Sequence, residues 1–123
     1  MTYKVNTKST CIGQCELMII DDSMGVATGM FSPSEEYESI KPIIVKLMQV
    51  MGVTGDQSSE SELQEAYKER DELELTVTCD SGYKFTPSAV HIVDLEADFP
   101  DEGITIELLG FSQQDRKQLE KIN

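Results

Sequence analysis

The chain has 123 residues, 39% of them hydrophobic and 27% charged, a balance typical of a folded globular protein. Its length suits a single domain, which we expect to cover residues 1–123. Ten lysines and arginines stand against 23 aspartates and glutamates, and the net charge of −13 argues against direct binding to nucleic acid or to anionic membranes.

The first predicted element is a β-hairpin. Strand-forming residues at 15–21 and 26–31 flank a turn at 22–25 that contains aspartate, serine and glycine. Gly29 interrupts the second strand, and a residue without a side chain there indicates a bulge or a close approach of another backbone segment.

A helix is predicted to follow directly. Ser32 as N-cap, Pro33 at the first helical position and Glu35 three residues after the cap form a strong start signal. Because Pro42 lacks an amide hydrogen, we expect a kink or a break at residues 38–39. Apolar residues recur at helical spacing and predict one buried face: Tyr37, Ile40, Ile43, Ile44, Leu47, Met48 and Met51.

A second helix is predicted to begin at Ser59, which forms another capping box with Glu62. After this helix, alternating apolar and polar residues at 73–79 predict a strand that turns at 80–82 and returns at 83–85 as a bulged hairpin. The core residues expected from this hairpin are Leu75, Val77 and Phe85.

The last third of the chain predicts two neighbouring strands and a short helix. Residues 89–95 are apolar on both faces, which favours a central strand, and residues 104–109 are its expected neighbour. Ser112 and Asp115 predict the start of the final helix. The order ββααββββα predicts an α+β fold, an antiparallel sheet with two main helices packed on one face.

Targeting and redox signals favour a cytoplasmic protein. No apolar segment follows the first residues, and no stretch approaches the roughly 18 apolar residues that span a bilayer. Three cysteines, an odd number, favour reduced thiols over a disulfide framework.

Few residues offer catalytic or metal-binding chemistry. Cys11, Cys15, Cys79 and His91 are the right number for a zinc site, but their spacing is not that of zinc ligands. A Cys79 nucleophile with His91 as its base would make an enzyme, yet no oxyanion-forming glycine loop accompanies them. We therefore expect no cofactor and no catalysis.

The acidic loop at 94–102 places carboxylates at alternate positions, as calcium loops do. Counting from Asp94, however, Phe99 occupies the position of the turn glycine and Thr105 that of the bidentate glutamate. A solvated acidic loop is the simpler interpretation, with incidental weak calcium binding as the alternative.

Exposed carboxylates around one aromatic residue are the best candidates for a binding surface, because acidic residues steer a basic partner and a large apolar side chain anchors it. Phe99 is the candidate anchor; the alternative is that it folds back onto the sheet. The predicted partner-binding residues are Asp94, Glu96, Asp98, Phe99, Asp101 and Glu102 in the loop and Glu62, Glu65 and Glu69 on the second helix.

Methionines are concentrated in the hairpin and the first helix. Their flexible side chains suit core filling, which is the simpler interpretation, but they also suit a partner-facing patch. The residues concerned are Met18, Met24, Met30, Met48 and Met51.

In size, charge and lack of catalytic motifs, the chain resembles the small immunity proteins that bacteria make against their own contact-delivered toxins. This resemblance implies a non-catalytic, acidic domain that neutralises a basic, nuclease-like toxin. Two other classes stay open: a self-associating structural or regulatory subunit, of which a homodimer is one form, and a cysteine-dependent enzyme.

Overall fold

The computed structural model describes residues 2–51, 59–96 and 99–122, with the backbone alone described for residues 121 and 122. The strands are β1 (Tyr3–Asn6), β2 (Cys11–Cys15), β3 (Met18–Asp21), β4 (Val26–Pro33), β5 (Thr76–Thr78), β6 (Ala89–Asp94) and β7 (Ile104–Leu109). The helices are α1 (Lys41–Val50), α2 (Glu60–Glu72) and α3 (Gln113–Ile122), and a 3₁₀ helix spans Glu35–Ser39. The fold is α+β as predicted, although four strands precede the helices where the sequence predicted two.

In the described part of the chain, all strands join one antiparallel sheet in the order β5-β1-β2-β4-β7-β6, with β3 also paired to β4. The predicted hairpin is present, but its first arm is interrupted: β2 pairs with one end of β4 and β3 with the other. The interruption lies beside Gly29, where an added Cβ would collide with the carbonyl oxygen of Glu16. The predicted close backbone approach at Gly29 is confirmed.

Helix α1 begins later than predicted. Ser32 and Pro33 belong to β4, where Ser32 pairs with Gln14 of β2, so strand pairing overrides the capping signal. The 3₁₀ helix follows, and Pro42 lies in the first turn of α1, where no amide hydrogen is required. The predicted break at residue 39 is confirmed.

The hairpin predicted at 73–85 is confirmed next to its turn. Thr78 forms an antiparallel bridge with Lys84, and the amides of Phe85 and Cys79 donate to the carbonyls of Val77 and Tyr83 at 2.9 and 3.0 Å. β5 also pairs with β1. Val77 and Phe85 are buried as predicted, whereas Leu75 is half-buried against the core. The pairing of β5 with β1 was not predicted, because the sequence did not indicate β1 as a strand.

Two hydrophobic clusters cover both faces of β6. Val90 and Ile92 belong to the main core inside the sheet, while Val93 packs with α1 and α2 in a smaller cluster. The predicted cover on both faces is confirmed, but the prediction that β6 is central is wrong, since β6 is the last strand in the order of the sheet. Helices α1 and α2 cover the second face of β6.

Two of the three predicted helix caps, at Ser59 and Ser112, are confirmed. The Ser59 hydroxyl accepts from the amide of Glu62 at 3.4 Å, and the Ser112 hydroxyl accepts from the amide of Asp115 at 3.1 Å. Asp115 returns a hydrogen bond by accepting from the amide of Ser112 at 3.0 Å. Across the described residues, no helix combines the length and the apolar character needed to cross a bilayer.

Candidate protein-binding surface

Asp94, the last residue of β6, is buried beneath the predicted surface. Its carboxylate accepts hydrogen bonds from the hydroxyl of Tyr37 at 2.7 Å and from the amide of Glu96 at 3.2 Å, and it lies 3.8 Å from the ammonium of Lys41. Burial, together with the bond to Asp94, raises the pKa of Tyr37. Because Asp94 is only 3% exposed, its carboxylate holds the 3₁₀ helix, α1 and β6 together and does not face a partner.

Phe99 has a fixed backbone and an exposed ring. Its amide donates to the carbonyl of Leu95 at 2.7 Å, and its own carbonyl accepts from the amide of Glu102 at 3.0 Å. The side chain is nevertheless 49% exposed. These two hydrogen bonds restrict the main chain on either side of Phe99. Less conformational entropy is therefore lost when Phe99 binds a partner.

Phe99 has carboxylates on both sides in the sequence. Glu96, Asp101 and Glu102 are exposed, and Glu96 forms an ion pair of 3.3 Å with Lys41. Burial alone would lower the pKa of Lys41, but Asp94 and Glu96 raise it overall, so Lys41 remains charged. Asp98, also predicted as an interface residue, lies outside the described residues.

Met30 adds a second exposed apolar side chain next to this loop. It lies on the outer face of β4 and is about half-exposed, and its terminal methyl is 2.8 Å from the position that a Cβ on Gly103 would occupy. The side chain of Met30 therefore packs against the end of the acidic loop, and a glycine at residue 103 leaves room for it.

Helix α2 contributes the remaining predicted carboxylates. Glu62 and Glu65 are exposed, whereas Glu69 is half-buried and forms an ion pair of 3.4 Å with Lys46 of α1. Helix α1 thus contacts both acidic segments, with Lys46 toward α2 and Lys41 toward the loop. We give the name acidic face to a set of residues from α2 and the loop, all exposed except Glu69: Glu62, Glu65, Glu69, Glu96, Phe99, Asp101 and Glu102.

The residues with nucleophilic or metal-binding potential have separate partners. The Cys79 thiol lies 3.1 Å from the hydroxyl of Ser81, while His91 Nδ1 lies 3.2 Å from a guanidinium nitrogen of Arg70. Burial, with a contribution from the neighbouring Glu16, raises the pKa of Cys15 to about 12 and leaves its thiol protonated. Within the described ranges, no three histidines, cysteines or carboxylates are arranged to hold a metal ion.

A second exposed apolar group lies at β3, where Met18 is 63% and Ile20 is 56% exposed. Met24, in the turn after β3, is also exposed, whereas Met48 is buried in the cluster beneath α1 and α2. The methionines therefore include both core and surface residues. Exposure of Ile20 was not predicted, although the consecutive isoleucines at 19 and 20 interrupt the alternation expected of a half-buried strand.

No protein-family model matches the chain, and comparisons with curated proteins and with solved structures found no similar protein. Evidence on function therefore comes from the exposure, charge and contacts of the residues themselves. Two surfaces combine exposed apolar side chains with carboxylates: the acidic face, and the strand β3 with the turn that follows it.

Proposed function

We propose that this chain is a non-catalytic domain that binds a basic protein through the acidic face. The observation that carries the proposal is Phe99, whose backbone is held by two hydrogen bonds while about half of the residue is exposed in a loop rich in carboxylates. A large apolar group presented in this way can fill a pocket on a partner, and such residues supply most of the affinity in protein interfaces.

Charge supports a basic partner. Two carboxylates of the acidic face, Glu69 and Glu96, are paired with lysines of α1, and the structure gives no ion pair for Glu62, Asp101 or Glu102 within the residues it describes. The face therefore carries net negative charge in a chain whose total is −13. Such a field speeds the encounter with a positively charged protein and opposes the approach of an acidic one.

Toxin neutralisation in the bacterial cytoplasm is the role that we propose for this binding. It follows from the resemblance to immunity proteins in size, charge and lack of catalytic motifs. A tight complex with a basic nuclease-like protein would need the steering and the anchor that the acidic face combines.

Self-association is the second candidate, and the exposed Met18 and Ile20 favour it. The two candidates differ in what they predict for the purified chain. A binding domain for a basic partner is a monomer when alone, whereas a self-associating subunit has a solution mass that rises with protein concentration. Sedimentation analysis over a wide concentration range separates the two.

The proposal is tested by capture and reconstitution. A tagged copy is purified from its native host at low salt, and each retained protein is then prepared separately and mixed with the pure chain. We expect a basic protein that binds stoichiometrically, loses affinity as salt is added and, if it is a toxin, loses its toxic activity in the complex. A partner that is acidic, or whose binding does not depend on salt, would contradict the proposal.

A further inference from the structure

Strand β3 has one free edge. It pairs with β4 on one side, and among the described residues no strand pairs with its other side. β1 stops short of it, because the ladder between β1 and β2 ends where Tyr3 pairs with Cys15. An edge strand exposes backbone amides and carbonyls that can pair with another extended chain.

An apolar hollow lies beside β3. A cavity of about 310 Å³ is lined by Met18 and Ile19 of β3 and by Leu119 and Glu120 of α3. Three of the four lining residues are apolar, and the fourth is an exposed glutamate. An added strand alternates its side chains between two faces, so the residues on one face can direct apolar side chains into the hollow while the residues between them face away from it.

The charged residues around β3 favour a positively charged segment at its free edge. Glu16 precedes the strand and Asp21 ends it, both exposed, while Asp22 and Glu120 share Arg116 at 2.7 and 3.2 Å. Hydrogen bonds from a backbone amide and a hydroxyl of the following turn lower the pKa of Asp21, which is therefore ionised at neutral pH. The four carboxylates around β3 therefore exceed the single positive charge of Arg116, which pairs with two of them.

A second copy of the chain fits this edge poorly. Antiparallel pairing of β3 with itself would set Glu16 of one copy against Asp21 and Asp22 of the other, at both ends of the contact. Like charges directly opposite each other destabilise strand pairing, and each copy carries a charge of −13. A positively charged strand in the same place would be attracted, and not repelled, by Glu16, Asp21 and Asp22.

We propose that the free edge of β3 receives an extended segment of the basic partner, which adds a strand to the sheet, with apolar side chains at alternate positions and lysine or arginine between them. This inference rests on the proposed function, because it takes the basic partner from it. The acidic face steers and anchors the partner, and the β3 edge supplies main-chain hydrogen bonds.

The test uses a synthetic peptide of about ten residues with alternating valine and lysine, long enough to extend beyond both ends of the four-residue strand β3. Binding to the full chain is measured by titration, and amide hydrogen exchange locates the bound peptide. We expect saturable binding and slowed exchange at residues 18–21. The same peptide N-methylated at alternate amides keeps its charge but cannot complete the ladder, and it should bind at least about tenfold more weakly.

Variants separate strand pairing from charge. Ile20→Lys introduces a cation within β3, at the register shift between the paired residues Ile19 and Asp21, whereas Met24→Lys makes the same charge change in the exposed turn outside β3. We expect Ile20→Lys to weaken peptide binding at least about tenfold and Met24→Lys by less than about threefold, since charged residues on edge strands oppose pairing.

Three results would overturn the inference: no saturable binding up to about 1 mM peptide, equal binding of the N-methylated peptide, or protection of residues 99–103 in place of 18–21. Dimerisation of the chain that Ile20→Lys abolishes would also overturn it, by making a second copy the occupant. Failure of the proposed function is distinguishable. If Phe99→Ala releases the natural partner and Ile20→Lys does not, the proposed function stands and the inference fails.

Discussion

The hydroxyl of Tyr37 donates a 2.7 Å hydrogen bond to the carboxylate of Asp94 and thereby joins the 3₁₀ helix to the end of β6. Both residues are buried, and hydrogen bonds to charged groups in such positions contribute about 1.5–3 kcal/mol. We predict that Tyr37→Phe lowers the free energy of unfolding by about this amount. Urea denaturation measures the change, with Tyr67→Phe on α2 as the matched control.

If Tyr37→Phe and Tyr67→Phe unfold at the same urea concentration as the unaltered chain, the bond to Asp94 does not stabilise the fold. The same comparison bears on Asp94 as an interface residue. A stabilising bond to Tyr37 implies that Asp94 acts inside the domain, where it supports the base of the acidic loop.

Gly29 is predicted to be intolerant of any side chain. Its added Cβ would collide with the backbone carbonyl of Glu16, which cannot move without separating β2 or β3 from β4. We expect Gly29→Ala to lower the free energy of unfolding by at least about 1–3 kcal/mol, the usual cost of overpacking. Thermal and urea denaturation both measure this loss. A variant as stable as the unaltered chain would mean that β2 and β3 form one uninterrupted strand beside β4.

His91 is predicted to make stability depend on pH. Burial, and then the guanidinium of Arg70, lower its pKa below 6.5 in the folded state. The unfolded chain therefore binds a proton more readily, so the contribution to stability is complete above pH 6.5 and decreases as the pH falls from 6.5 toward the folded pKa. One such group contributes a slope of at most about 1.4 kcal/mol per pH unit.

The pH prediction is checked by replacing His91 with glutamine. The free energy of unfolding is measured by urea denaturation between about pH 7.5 and pH 5.5 for both proteins. We expect the stability of His91→Gln to fall less steeply with decreasing pH than that of the unaltered chain. Parallel curves would show that His91 is not the group responsible.

Local signals in the sequence predicted the local structure, and long-range pairing accounts for the errors. Ser59 and Ser112 cap helices because capping depends on residues three positions apart. Ser32 carries the same signal, but its backbone pairs with Gln14, and that ladder brings together segments far apart in the chain. β1 is a short strand that the sequence did not indicate, and it is held by pairing with β2 and with the distant β5.

The sequence predicted those parts of the candidate site that depend on neighbouring residues, and missed those that depend on distant ones. Runs of carboxylates and the aromatic at Phe99 are visible in sequence, so the acidic loop could be proposed directly. Burial of Asp94 could not, because it results from Tyr37, which lies 57 positions away. The free edge of β3 also depends on where β1 ends, and this is a property of the sheet and not of the strand.

The central claim is that Phe99 anchors a basic partner while the surrounding carboxylates steer it. The most direct measurement is the association and dissociation rates of the natural partner at low and at physiological salt, for the unaltered chain, Phe99→Ala, Asp101→Asn and the distant exposed control Asp80→Asn. We predict that Phe99→Ala speeds dissociation at least about tenfold, and that Asp101→Asn and added salt slow association more than Asp80→Asn does. Unaltered dissociation of Phe99→Ala, together with association that does not respond to salt, would contradict the claim.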